Sequence, residues 1–230
     1  MSATSGAASG TAGRGPRIAV VDYGAGNLVS IEQGLTAVGA RVAIARGPDD
    51  LAAADGLIVP GVGAAGPAME RLARARLVEP IRAWLAADRP FLGICLGLQL
   101  LFEGSDEDGA ETLGALPGRT VVLADAPTLP HIGWNQVERT RPHELFDGIA
   151  DGADFYFVHS YAGALPAADD GAALARTEHG RPFVSAIERG RVLGVQFHPE
   201  RSGPDGLRVL ANFASIVTRT TSGAAAGVPA

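Results

Sequence analysis

The chain has 230 residues, with 25 acidic against 19 basic side chains and a formal net charge of -6. Acidic and basic residues are interspersed, which argues against nucleic acid as the main partner, and no stretch approaches the 18 or so apolar residues a membrane span needs. A single cysteine excludes an intrachain disulfide and fits a reducing cytoplasm.

Residues 1–16 are rich in Gly, Ala, Ser and Thr and hold no apolar run that could serve as a signal-peptide core. Residues 220–230 have the same texture. Both ends read as disordered tails, leaving one domain at 17–219. Arg17 to Tyr23 is a continuous apolar run, as expected of a strand covered on both faces. Gly24-Ala25-Gly26-Asn27 turns the chain into a helix with Leu28, Ile31, Leu35 and Val38 on one stripe. Arg41 to Ala45 is a second strand, a short helix spans about Asp49 to Ala54, and Gly56 to Pro60 is a third strand. A long helical region follows, which Pro80 is expected to divide. The fourth strand begins at Phe91 and carries Cys95. This β-α-β-α order predicts an α/β fold: an open, mostly parallel sheet with helices on both faces and functional residues at the carboxyl ends of its strands.

Past Glu103 the texture changes. Asp106, Glu107, Asp108 and Glu111 read as a solvated acidic loop. Short strand-like pieces follow at Thr120 to Leu123, Asn135 to Glu138, Phe155 to His159, Phe183 to Ile187 and Val192 to Phe197. The second half is therefore predicted to be mixed or antiparallel, closing with a helix from Gly206 to Val217.

Two segments carry the chemistry. Phe91-Leu92-Gly93-Ile94-Cys95-Leu96-Gly97 reads as strand, tight turn, helix, with the thiol on the turn and helix N–H groups behind it. Such a setting favours a thiolate and supplies half of an oxyanion hole. A lone cysteine is otherwise most often a small buried hydrophobe. Val195-Gln196-Phe197-His198-Pro199-Glu200 supplies the rest. A strand delivers His198, and Glu200, two residues on, projects to the same side. A thiol needs a base, and the base needs an acceptor on its other ring nitrogen. His159 also ends a strand but lacks such a carboxylate, so it is assigned to the site wall or to structure. Gly61-Val62-Gly63-Ala64-Ala65-Gly66 matches a dinucleotide fingerprint, yet it follows the third strand, and the next strand ends in Cys95 rather than in an acidic residue. An oxyanion-binding turn is the better reading. The five histidines lie apart, with no Cys/His pair at zinc spacing, so neither metal nor cofactor is expected.

These residues resemble the class I (triad) glutamine amidotransferases over about Arg17 to Thr218. Gly93-Ile94-Cys95-Leu96-Gly97 and His198-Pro199-Glu200 are shared by the whole class. Pro60-Gly61-Val62-Gly63 and Pro130-His131-Ile132-Gly133-Trp134-Asn135 are more similar to the glutaminase subunits of imidazole glycerol phosphate synthase, a family of histidine biosynthesis. The resemblance implies Cys95 as nucleophile, His198 as acid and base, and Glu200 as its orienting partner. It implies backbone N–H groups of Leu96 and of Val62 or Gly63 around the oxyanion, and glutamine contacts from Gln99, Glu103, Ser160 and Tyr161. It also implies a separate (β/α)8-barrel cyclase subunit as partner in a heterodimer, with Asn27, Trp134 and Tyr156 at the contact, and a flip of the Val62 peptide on activation. Ala64-Ala65 departs from the bulkier pair common in relatives. The glutaminase subunits serving pyridoxal phosphate synthesis are the nearest rival within the enzyme class, and a non-catalytic binding relative the rival outside it.

Overall fold

The computed structural model describes residues 15–165 and 171–225. Five parallel strands form one half of the main sheet: β1 (Arg17–Val21), β2 (Arg41–Ala45), β3 (Gly56–Gly61), β4 (Phe91–Cys95) and β12 (Val192–Val195). The sheet continues antiparallel through β11 (Arg181–Arg189), β10 (Ala173–His179), β7 (His131–Arg139) and β8 (Ala153–His159). Its order is β2-β1-β3-β4-β12-β11-β10-β7-β8. A second sheet of three short strands holds β5 (Gly104–Ser105), β6 (Arg119–Val122) and β9 (Tyr161–Ala164).

The unbroken apolar runs are explained by the two sides of the main sheet. Along β1, Ile18 and Val20 enter one core with Ile31 and Leu35 of α1 (Leu28–Ala37) and Leu210 and Phe213 of α5 (Gly203–Ala225). Ala19 and Val21 enter the other core, with Leu72 of α2 (Ala65–Arg74) and Ile81 and Trp84 of α3 (Val78–Ala86). Alternation vanishes because both faces are covered. Each fully buried side chain of this size contributes about 1.5–3 kcal/mol before conformational entropy is counted.

Several expected boundaries move. Pro80 does not divide the long helical region. The break lies before α3, at Arg76, whose φ of 58° leaves the helical range. Pro80 sits in the first turn of α3, where a missing N–H costs no helical bond. The short helix is a 3-10 turn, Pro48–Leu51. Strand β10, with the sequence ALARTEH, has little β-propensity and is made a strand by its register with β11. Helix α5 runs to Ala225, so the first part of the segment expected to be disordered is helical, while 226–230 lie outside the described residues. At the other end Gly15 and Pro16 are held through their carbonyls by Arg41, and residues 1–14 lie outside the described residues. The acidic loop is also more than solvated. Arg119 binds Asp106 and Glu111, and Asp108 accepts the Gly66 N–H at 2.6 Å.

Candidate active site

Strand β4 ends at Cys95, and α4 (Leu96–Gln99) starts at the next residue. The chain reverses within one residue, and the strain falls on the cysteine itself, with φ 53° and ψ -110°. For a residue with a side chain that conformation costs on the order of 1–3 kcal/mol and needs the surroundings to impose it. The bracketing glycines serve another purpose. A Cβ on Gly93 would lie 2.5 Å from the Gly97 carbonyl oxygen, and one on Gly97 would lie 1.7 Å from that of Val59. They let α4 lie directly against β3 and β4, and this close packing holds Cys95 in its strained turn.

His198 lies past the end of β12, and Glu200 belongs to the 3-10 turn Pro199–Arg201. Nδ1 of His198 is 2.9 Å from Oε1 of Glu200, and both side chains are buried. The other nitrogen, Nε2, is buried and has no hydrogen-bond partner among the described residues. Burial alone would lower the imidazole pKa, but the neighbouring Cys95 and Glu200 outweigh it and raise the value to about 10. The backbone is held as well, by β8 and by Ser202. The His198 N–H donates to the Tyr156 carbonyl at 2.9 Å, while the Ser202 hydroxyl donates to the His198 carbonyl and accepts the Tyr156 N–H.

This charge coupling has a measurable consequence. A group whose folded pKa exceeds its ordinary 6.5 contributes stability that is complete below 6.5 and is lost as pH rises through the folded value. On account of His198, the melting temperature is expected to fall between about pH 6.5 and about pH 10. Glu200→Gln, which removes one of the charges, should flatten that decline in a thermal melt series. An unchanged slope would show that Glu200 does not hold the proton.

A cavity of about 190 Å³ opens beside the sulfur, lined by Gly63, Cys95, Leu96, Gln99, Glu107, Pro130, Val158, His159, Ser160 and Tyr161. A larger cavity of about 590 Å³, among Arg82, Asp88, Leu113 and Arg189, lies where β4 and β12 begin, at the opposite end of the sheet from Cys95. Size does not mark the site; the thiol and imidazole do. Gly61 of β3 is in register with Cys95, and Gly63, two residues on, lines the cavity beside the sulfur. Val62 is 47% exposed, and Gly63 has φ 89°. Leu96 opens α4, so its N–H has no partner within the helix.

Of the residues expected around glutamine and its oxyanion, Gly63, Cys95, Leu96, Gln99, Ser160 and Tyr161 line this cavity, and Val62 and Glu103 do not. The Glu103 carboxylate accepts the Gly118 N–H at 3.0 Å, and Glu103 is not among the residues lining the cavity. Glu107 takes that place, its pKa raised by burial and then by Asp108. No sequence signal separated it from the acidic loop around it. The carbonyls of Ser160 and Tyr161 are already engaged, by the Leu123 N–H and by Gln99 and His159. The dinucleotide reading of residues 61–66 also fails: Gly66 spends its N–H on Asp108, and Gly61 is packed under Tyr23 and Leu96.

His159 forms part of the wall, and its hydrogen bonds exclude it as a rival base. Its Nδ1 lies 2.9 Å from the Tyr161 carbonyl, which can only accept, so Nδ1 carries the hydrogen. Its Nε2 must then accept, from Nδ1 of His131 at 3.1 Å, and Nε2 of His131 accepts from the Asn135 amide. Both rings are neutral. Burial first, then the neighbouring His179 imidazole, lowers His131 to about 4, and burial is the main cause that takes His159 to about 3. On the outer side of this strand pair, Ile132 and Trp134 are 60% and 57% exposed. Trp134 sits opposite Tyr156 in register, and Arg201 lies over the Tyr156 ring at 4.1 Å. Asn27 is exposed at the start of α1.

Comparison with known proteins decides the family. The model of the class-I glutamine amidotransferases matches residues 19–217. The chain belongs to that family. Within it, the chain is 48% identical to the imidazole glycerol phosphate synthase subunit HisH of Symbiobacterium thermophilum, over 87% of this chain and 94% of that one. It is 46% identical to HisH of Moorella thermoacetica over 87% and 95% of the two chains, and 47% identical to HisH of a Synechococcus strain over 91% and 98%. These relatives identify the amidotransferase as a glutaminase subunit of the imidazole glycerol phosphate synthase type. The fold itself recurs at low identity. PurLQS from Thermotoga maritima superposes with a TM-score of 0.68 at 19% identity over 88% of this chain and 99% of that one. A further glutamine amidotransferase structure superposes at 0.67, also 19% identical, over 87% and 98%.

Proposed function

We propose that Cys95, His198 and Glu200 hydrolyse glutamine, and that the ammonia passes to a (β/α)8-barrel cyclase subunit in the cytoplasm. The observation that carries the reading is the buried Nε2 of His198, without a hydrogen-bond partner among the described residues, next to Cys95, with Glu200 2.9 Å from the opposite nitrogen. The Cys95 sulfur attacks the side-chain amide carbon, and the oxyanion is held by the Leu96 N–H and one from Val62 or Gly63, each donor contributing about 3–4 kcal/mol. His198, held protonated, gives its proton to the departing amine, and ammonia leaves a glutamyl thioester. At that point the sulfur is no longer charged and His198 has lost its proton. The neutral imidazole can then take a proton from water, which attacks the thioester and releases glutamate.

Glutamine's amino-acid end needs a carboxylate for its ammonium group. Glu107 is assigned that role in place of Glu103, since it lines the cavity. Both amide hydrogens of Gln99 are spent on Tyr161 and Gln196, so Gln99 offers the substrate its oxygen. Exposed Trp134 with its half-buried neighbour Tyr156, and exposed Asn27 at the start of α1, are assigned to the cyclase contact. Tyr156 joins that contact to the chemistry through its bond to the His198 N–H. The cyclase would use ammonia to form imidazole glycerol phosphate and the aminoimidazole carboxamide ribonucleotide.

Glutamate release by the purified chain, alone and with the cyclase subunit and its ligand, tests the assignment. Turnover should rise about 10- to 100-fold in the loaded complex, the range of typical intersite coupling. The glycines either side of Val62 give its peptide room to rotate into the oxyanion site, which is the proposed origin of the rise. Turnover indifferent to partner and ligand would remove the Val62 switch, and silence under all conditions would remove the partner assignment.

A further inference from the structure

Behind the thiol lie two buried amides that the acid–base set does not require. Gln196 is fully buried and stands two residues before His198, so both side chains project to the same side of the extended chain. Its Nε2 is 3.6 Å from the Cys95 sulfur, and its Oε1 is 3.1 Å from Nε2 of Gln99. Nε2 of Gln99 is also 2.8 Å from the Tyr161 carbonyl oxygen.

The direction of this chain of bonds is forced. A backbone carbonyl can only accept, so Gln99 must turn its nitrogen to Tyr161. That nitrogen's second hydrogen requires an oxygen, so Gln196 presents Oε1 to Gln99. The NH2 group of Gln196 is therefore left facing the sulfur. The ambiguity between amide oxygen and nitrogen is removed by the network itself. An amide buried here needs partners that an apolar side chain of the same size would not. Its sulfur contact is the one bond that a purely packing role leaves unexplained.

We propose that Gln196 is a positioning residue for the nucleophile: its N–H holds the Cys95 sulfur in place and favours the charged form of the thiol. A hydrogen bond strengthens when its acceptor is ionised. The bond is therefore strongest before attack and weakens once the sulfur is acylated, so its effect belongs to forming and placing the charged sulfur, ahead of acylation. The inference rests on reading Cys95 as the nucleophile.

The chain has one cysteine, so alkylation by iodoacetamide reports on this sulfur alone. Gln196→Met keeps the length of the side chain and removes the N–H. On the acid limb of its pH profile, alkylation should be about tenfold slower than wild type, as expected for one hydrogen bond to a charged group. The pH–rate profile should move to higher pH with its alkaline plateau changed by less than about twofold. Gln196→Glu, which sets a carboxylate against the sulfur, should be slower still. A folded Gln196→Met with the wild-type profile would overturn the proposal, and so would a loss that is uniform across pH. Should neither variant fold, the side-chain amide resonance of Gln196 in 15N-labelled wild type must shift on alkylation of Cys95, and an unmoved resonance would equally overturn it. Alkylation needs neither glutamine nor the cyclase, so this outcome is read independently of whether the glutaminase assignment holds.

Discussion

Cys95→Ala should lower glutamine hydrolysis at least about 10⁴-fold, with or without the partner, while leaving the fold intact. That is the scale on which removing a nucleophile from a working acid–base set acts. No second thiol can substitute, since the chain has one cysteine. His159 cannot take over as an alternative nucleophile or base because both its ring nitrogens are committed within the protein. The strain at this residue adds a second readout. Cys95 holds φ at 53°, a conformation that glycine adopts without penalty. Cys95→Gly should therefore be as inactive as Cys95→Ala yet more stable than it, by about 1 kcal/mol. Glutamate release measures the first effect, and thermal unfolding of the two variants the second. Residual turnover within about tenfold of wild type would remove Cys95 from the chemistry. Equal stabilities would show that the turn is relaxed.

How much of this the chain announces differs between its halves, for physical reasons. In the first half, burial on both faces makes every strand a run of apolar residues. That signal is local, and the strands from Arg17 to Cys95 fall within a residue or two of where composition puts them. In the second half a strand needs only one partner in register, and Ala173–His179 is recruited by β11 despite a composition that suits a helix equally well. The site divides in the same way. Cys95, His198 and Glu200 announce themselves through spacing, because a strand end and a two-residue interval fix their directions. Glu107 does not, since its place at the cavity depends on how Asp106, Glu111 and Arg119 fold the acidic loop back. Gln196 stood two residues from a catalytic candidate and still read as an ordinary strand residue. Only the sulfur 3.6 Å away gives its amide a purpose. The use of the glycine bracket is not legible in the spacing either: the structure puts the strain on the cysteine and uses Gly93 and Gly97 for close approach.

That distinction leads to the second large effect, Gly97→Ala. If Gly97 merely supplied flexibility, alanine would be tolerated or even favoured, since α4 has ordinary helical geometry at that point and alanine suits a helix better by about 1 kcal/mol. The packing predicts the opposite sign. The added Cβ would lie 1.7 Å from the Val59 carbonyl oxygen and 2.8 Å from its carbon, both backbone atoms of the central strand β3. No rotamer change relieves such a clash, because neither partner is a side chain. Either α4 shifts away from the sheet or β3 is displaced, and β3 is bonded to β1 on one side and β4 on the other. Overpacking in cores commonly costs 1–3 kcal/mol when side chains can yield; here the loss should exceed about 3 kcal/mol. Gly47→Ala is the matched control, with extended backbone at φ -157° and nothing within 4 Å of the added carbon, and it should change stability by less than about 1 kcal/mol. Chemical denaturation of the two variants beside wild type decides the matter. A Gly97→Ala protein as stable as Gly47→Ala would mean that the elbow is held by something other than the contact between α4 and β3, and the imposed strain at Cys95 would then need another source.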